Sequence, residues 1–278
     1  MYVDLGDVRL SVRDSGSGEP VVLLHGWPDT ANLWRHQVPA LQAAGFRTIA
    51  PDLRGFGDSS RPASVDAYEA PHMVADVIGV LDHLAVERAH LVGHDWGAAI
   101  AWLTAALVPD RVATLTALSV GHPAAFRAAG WEQREKSWYM LLFQFPGVAE
   151  QWLSTGGFRN LRDWSGHPDI DEVVARLADP ASLTASLNLY RAILPPQSLL
   201  AEPLVLPPVV APTMGIWSTD DRALTEQQMT GSTAYVVGGW RYERLAGAGH
   251  WMMLEAPDET NVLLLDFLGQ HRTTVVAS

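Results

Sequence analysis

The sequence predicts an α/β protein: a mostly parallel sheet covered on both faces by helices, with a helical cap inserted before the last two strands. Three observations carry that reading. Short apolar runs alternate with helix-length periodic stretches from Val21 to Leu118, the rhythm of a sheet buried between helices. Strand character is then absent from His122 to Pro208 and returns at Thr213. Between the two regimes, Gly93-His94-Asp95-Trp96-Gly97 joins an apolar run to a helical pattern through a turn framed by glycines.

Each element has its own signal. Tyr2–Leu5 and Val8–Val12 flank Gly6-Asp7 as the arms of a hairpin. Val21–Leu24 is a short apolar strand that runs into His25-Gly26-Trp27-Pro28. Helical periodicity covers Leu33 to Ala43 and stops at Gly45; Phe46–Ala50 reads as a strand. A Gly-rich loop, Arg54-Gly55-Phe56-Gly57-Asp58, precedes a helix over Ala70–Leu84. Ala89–Val92 is the strand before the Asp95 turn, Ala98–Leu107 the helix after it, and Val112–Leu118 the next strand. Helical patterns follow at Glu132–Phe143, Val148–Trp152, Ile170–Leu177 and Ser182–Ile193. The Pro-rich run from Pro195-Pro196 to Pro207-Pro208 reads as a boundary. Thr213–Trp217 and Arg241–Leu245 are the last strands, and Asp258–Leu268 is the last helix. The expected organisation is a core of residues 1–121 and 209–278 interrupted by a helical cap of residues 122–208, a junction where apolar pockets tend to form.

Composition narrows the chemistry. At 278 residues, 48% hydrophobic and 18% charged, the chain has ample core for one large domain with an insertion. A formal net charge of −12 disfavours nucleic acid and anionic membranes as partners. No cysteine is present, so thiolate catalysis, disulfides and Cys-ligated metals are excluded, and Lys136 is the only lysine for Schiff-base chemistry. Neither a signal-peptide h-region nor a membrane-length apolar stretch is visible, and the expectation is a soluble cytoplasmic protein, monomer or homodimer, with no metal or cofactor.

Asp95 stands where a serine hydrolase would carry its nucleophile. A carboxylate there cannot activate a hydroxyl on itself, but it can attack an electrophilic carbon and form an ester. That ester needs a general base for its hydrolysis. His250, in Gly247-Ala248-Gly249-His250-Trp251, lies just past the last expected strand, on the sheet edge where the other loops gather. A neutral imidazole takes a proton from water near pH 7; the other nine histidines are read as ordinary. The acid that orients the base should follow Thr213–Trp217, where Asp220 and Asp221 compete and spacing favours Asp221. Backbone N–H groups of Trp27 and Trp96 are the candidate oxyanion donors.

Together these segments resemble the epoxide hydrolase branch of the α/β-hydrolase superfamily over nearly the whole chain. The likeness rests on His25-Gly26-Trp27-Pro28, the segment from Ala50-Pro51-Asp52 to Asp58-Ser59-Ser60, Gly93-His94-Asp95-Trp96-Gly97 and Gly249-His250. More specific are Tyr139 to Glu150 and Leu187-Asn188-Leu189-Tyr190-Arg191, which are similar to the family's two cap-tyrosine segments. The resemblance implies that Tyr139 and Tyr190 donate to the epoxide oxygen as it leaves, since a phenol of ordinary pKa is protonated at pH 7. It further implies an α/β-hydrolase fold, an apolar epoxide and water as the small-molecule partners, and Trp27, Trp96 and Trp251 along the substrate pocket. The acid turn lacks the Gly that often follows the strand's aromatic residue in relatives, which leaves Asp220 against Asp221 open. A haloalkane or haloacetate dehalogenase would use the same Asp, His and acid, but relatives of those kinds often carry Asn at the position of Trp27 or Arg at that of Trp96. A non-catalytic ligand-binding protein on the same fold is a further alternative.

Overall fold

The computed structural model describes residues 1–199 and 205–272. Eight strands form one sheet: β1 (Tyr2–Asp4), β2 (Arg9–Gly16), β3 (Glu19–Leu24), β4 (Phe46–Pro51), β5 (Ala89–His94), β6 (Val112–Leu118), β7 (Thr213–Ser218) and β8 (Trp240–Leu245). Their order across the sheet is β1-β2-β4-β3-β5-β6-β7-β8; β2 pairs antiparallel with both β1 and β4, and every other pairing is parallel. This is the α/β-hydrolase fold. The chain leaves β3 for β4 on one side and reaches β5 on the other, so a switch point opens beyond the C-terminal ends of β3 and β5.

Strand periodicity sorts the core onto two faces. Val22, Leu24, Ile49 and Leu91 pack into one apolar cluster with Met73 and Val77 from the helix Ala70–His83 and Trp102 from the helix Trp96–Leu107. Val21, Leu23, Ala50 and Val92 face the other way, against Leu41 from the helix Gln37–Ala43 and Leu264 and Phe267 from the helix Pro257–Gln270. Each such buried side chain is worth about 1.5–3 kcal/mol against exposure.

Several boundaries differ from the sequence reading, each for a local reason. The helix expected over Leu33–Ala43 is two pieces, a 3-10 turn at Ala31–Trp34 and the α-helix Gln37–Ala43. Pro39 accounts for the later start, because its missing N–H is harmless only in a first turn. Glu132–Phe143 divides at Ser137 into Gly130–Lys136 and Trp138–Leu142, where the Gln133 side chain is drawn into bonds with the Ala223 carbonyl and Thr225. The helix that begins at Val148 continues to Ser165, broken by left-handed Gly156, Gly157 and Phe158. Between β6 and β7 the described residues form helices and no named strand, and the expected Pro-rich boundary lies partly outside the described residues. No helix among the described residues is long and apolar enough to cross a membrane.

Candidate active site

The sheet delivers four loops to one edge. Trp27 follows β3, Asp95 follows β5, Asp221 follows β7 and His250 follows β8. Asp95 sits at φ 52°, a left-handed conformation unusual for a side chain other than Gly or Asn, on the turn between β5 and the helix Trp96–Leu107. The glycines beside it are required by close approach: a Cβ on Gly97 would overlap the carbonyl oxygens of Leu24 and His25. The Trp27 loop is pinned by His25, whose Nδ1–H donates to the Gly26 carbonyl and whose Nε2 accepts the Leu53 N–H, both at 2.9 Å.

These placements bring the predicted residues together. Trp27 N–H donates to Asp95 Oδ1 at 2.7 Å. Asp95 Oδ2 lies 3.7 Å from His250 Nε2, and His250 Nδ1–H donates to Asp221 Oδ2 at 2.9 Å. Asp221 Oδ1 accepts the N–H groups of Ala223 and Leu224 at 2.8 and 2.9 Å, so both carboxylate oxygens are occupied although the side chain is buried. Asp220 is exposed and accepts a hydrogen bond from the Thr219 hydroxyl. Of the two adjacent carboxylates, the structure places Asp221 against His250. Trp96 opens its helix, where a backbone N–H has no intrahelical acceptor.

Electrostatics alters one expectation. Burial works to lower the His250 pKa, but the Asp221 carboxylate, by charge and hydrogen bond, and Asp95 beyond it override burial and push it up to about 10. Burial would likewise raise Asp221, yet His250 and the amides of Leu224 and Ala223 hold its carboxyl below the ordinary range. Both carboxylates therefore favour the charged form of the ring in the resting protein, where the sequence reading expected a neutral base.

Tyr139 and Tyr190 come from the helices Trp138–Leu142 and Pro180–Ile193 of the segment between β6 and β7. Both are buried, with ring centroids 6.2 Å apart, and the Tyr190 ring packs edge-on against Trp96 at 4.9 Å and Trp27 at 6.1 Å. Desolvation and the nearby Asp95 charge raise both phenols well above their ordinary value; Tyr139 acts further on Tyr190, and Asp221 on Tyr139. With Trp27, Asp95, His250 and Trp251 they line one narrow cleft, partly open to solvent. Trp164, Ser165, Arg222 and Ala223 complete the lining and had no local sequence signal. Asp29, which accepts hydrogen bonds from Trp251 and His167 beneath the cleft, was also missed, although it directly follows Trp27-Pro28.

A family model described as the alpha/beta hydrolase fold matches residues 19–257. Epoxide hydrolase A of Mycobacterium tuberculosis is 37% identical, covering 96% of each chain. The chain belongs to the epoxide hydrolase branch of the α/β-hydrolase superfamily. Solved structures of that branch superpose closely: one from metagenomes of hot environments has a TM-score of 0.87 at 30% identity, covering 96% of this chain and 97% of its own. A mutant of the Bacillus megaterium epoxide hydrolase gives the same TM-score at 29% identity, over 97% of this chain and all of its own.

Proposed function

We propose that this epoxide hydrolase family member opens apolar epoxides to vicinal diols through an ester on Asp95. The observation that carries the reading is the opposition of two buried, protonated phenols to a carboxylate–imidazole pair across one cleft. A ring oxygen leaves as a strongly basic alkoxide and needs a proton; Tyr139 and Tyr190 hold the available ones. Residues 122–208, which carry both phenols, act as the cap over a core of residues 1–121 and 209–278.

The steps follow from the contacts. Asp95 Oδ1 is held by Trp27 N–H, which leaves Oδ2 free to attack an epoxide carbon. The new C–O bond forms as the ring C–O bond breaks, and a phenol passes its proton to the leaving oxygen. Esterification removes the Asp95 charge that helps keep His250 protonated. The imidazolium then gives up its proton, which restores the phenol, and the neutral ring takes a proton from water attacking the ester carbonyl carbon. Collapse of that adduct breaks the bond from this carbon to the substrate oxygen, which leaves as the diol hydroxyl with the proton of the added OH, and Asp95 is again a carboxylate beside an imidazolium. Oδ1, now the ester carbonyl oxygen, develops negative charge on the Trp27 N–H, with Trp96 N–H as the second donor. Trp27 and Trp251 shape the apolar walls; Trp96, expected there from sequence, is absent from the lining because its side chain packs behind Tyr190 and bonds to it.

A halide leaves as an anion and needs N–H donors instead. The Trp27 indole already donates to Ser186 Oγ at 3.2 Å, and the Trp96 side chain bonds to Tyr190. Both potential halide donors are thus engaged, which disfavours the dehalogenase alternative.

One turnover in oxygen-18 water with excess enzyme tests the ester. The diol should start unlabelled while Asp95 gains the label. Heavy label in the first-turnover diol would mean direct attack by water, and the proposal would fall.

A further inference from the structure

A second buried carboxylate–imidazole pair lies beside the first. Asp29, on the loop after Trp27-Pro28, and His167, after the helix Val148–Ser165, are both almost fully enclosed although they are 138 residues apart. The hydrogen bonds fix the tautomer. His167 Nδ1 accepts the Asp169 N–H at 2.9 Å, so the ring proton sits on Nε2 and donates to Asp29 Oδ1 at 3.1 Å. Asp29 Oδ2 accepts the Trp251 indole N–H at 2.8 Å. An ion pair between Arg35 and Asp169 at 2.7 Å ties the same two segments nearer the surface.

The chain of contacts ends on the base. Trp251 follows His250 directly, its ring meets the His250 ring edge-on at 4.8 Å, and its other neighbour is the His167 ring at 4.3 Å. In the resting protein two carboxylates hold His250: Asp221 by hydrogen bond and Asp95 across 3.7 Å. Once Asp95 is an ester that second hold is gone. The ring must then keep its aim on the ester by the Asp221 bond and by packing against His94, at 4.6 Å, and Trp251.

We propose that His167 is a positioning residue for ester hydrolysis, acting through Asp29 and Trp251 on the orientation of His250. The inference rests on the Asp95 ester described above. It assigns the helical segment a part in the second half-reaction, beyond the phenols that serve the first. Formation of the ester, in which Asp95 still holds the imidazole, depends little on this chain of bonds.

The test separates the two half-reactions in the full-length protein with styrene oxide, by rapid quench and protein mass. His167→Phe keeps a ring and removes the donor. Ester formation should stay within about threefold of native, whereas ester decay should slow by about tenfold or more, the scale of a lost hydrogen bond to a charged group. His167→Gln, whose side-chain amide can still donate to Asp29, should restore decay to within about threefold. Asp29→Asn leaves one oxygen for two N–H donors, so it cuts the same chain in its middle and should reproduce the split, which keeps the test open if His167→Phe does not fold. Native-like ester decay in His167→Phe overturns the proposal. So does an equal loss in both steps that His167→Gln fails to restore, the pattern of a merely structural contact. A native protein that forms no ester on Asp95 would remove the functional reading itself; normal native kinetics with indifferent variants would remove only the role of His167.

Discussion

Replacing Asp221 with Asn keeps the side chain's shape and removes its charge. Oδ1 is committed to the N–H groups of Ala223 and Leu224, and Oδ2 to His250 Nδ1. Asn has one oxygen; kept on the two amides, it turns its NH2 toward Nδ1. Nδ1 must then accept, so the ring proton moves to Nε2, the atom that has to take a proton from water. The base is presented in the wrong tautomer and without its counter-charge. The displacement of His250 from 6.5 to about 10 represents on the order of 5 kcal/mol, and Asp221 contributes the largest share of the upward pull. Esterification removes the share of Asp95, so nothing in the Asn variant opposes burial. Ester hydrolysis should slow by about 10³–10⁴, with ester formation affected far less. Rapid-quench mass measurement should find Asp221→Asn protein heavier by one epoxide, while Asp220→Asn, altered at an exposed side chain, turns over as native does. An Asp221→Asn variant that clears its ester at close to the native rate would refute the tautomer argument. A defect that follows Asp220 instead would transfer the role.

Phe at 139 or at 190 removes one donor to the developing alkoxide and keeps the ring that packs the cleft; each should cost about 3 kcal/mol, roughly a hundredfold in ring opening. The double variant should nearly abolish diol release, and near-native rates there would return the dehalogenase reading to first place. The raised pKa of His250 gives a pH signature with a definite sign. The free enzyme keeps its imidazolium up to about pH 10, so kcat/KM, which reports the free enzyme, should show no step near 6.5 from this group. The ester has lost the Asp95 charge, so kcat should fall on acidification as the imidazole of the intermediate protonates. A kcat/KM limb near 6.5 that disappears in His250→Gln would show that the resting imidazole is neutral.

Legibility followed the range of the interactions. The turn at Asp95 was readable because its causes are local: two glycines, an apolar run before and a helical pattern after, all within one stretch of chain. The succession of strands along the chain and the chain positions of Asp95 and His250 followed from the same short-range periodicity, whereas their order across the sheet did not. Spacing favoured Asp221 over Asp220 but did not settle it, since a one-residue choice depends on how the turn after β7 closes: the Asp221 N–H returns to the Ser218 carbonyl and its side chain onto Ala223 and Leu224. The charge on His250 was unreadable for a similar reason, because it depends on three groups from three loops meeting in one buried place. Helix ends slipped where side chains were recruited elsewhere, as at Ser137, where Gln133 answers to residues 223 and 225. His167 had no signal at all; its partner is 138 residues away.

The division of parts between sheet and helices has an evolutionary consequence. In the proposed mechanism the groups that touch the covalent bond, Asp95, His250, Asp221 and the Trp27 amide, hang from the ends of β3, β5, β7 and β8. Tyr139 and Tyr190, the proposed proton donors to the departing oxygen, arrive on the intervening helices. Mutation can therefore explore new leaving groups and new substrate shapes in the helices without disturbing the attack machinery, provided the His167 bond to Asp29 is kept. The two ledgers of selection, one for bond formation and one for substrate choice, are written on separate stretches of chain. Drift in residues 122–208 should run faster than drift at the strand ends, and laboratory evolution aimed at altered substrates has its natural library there.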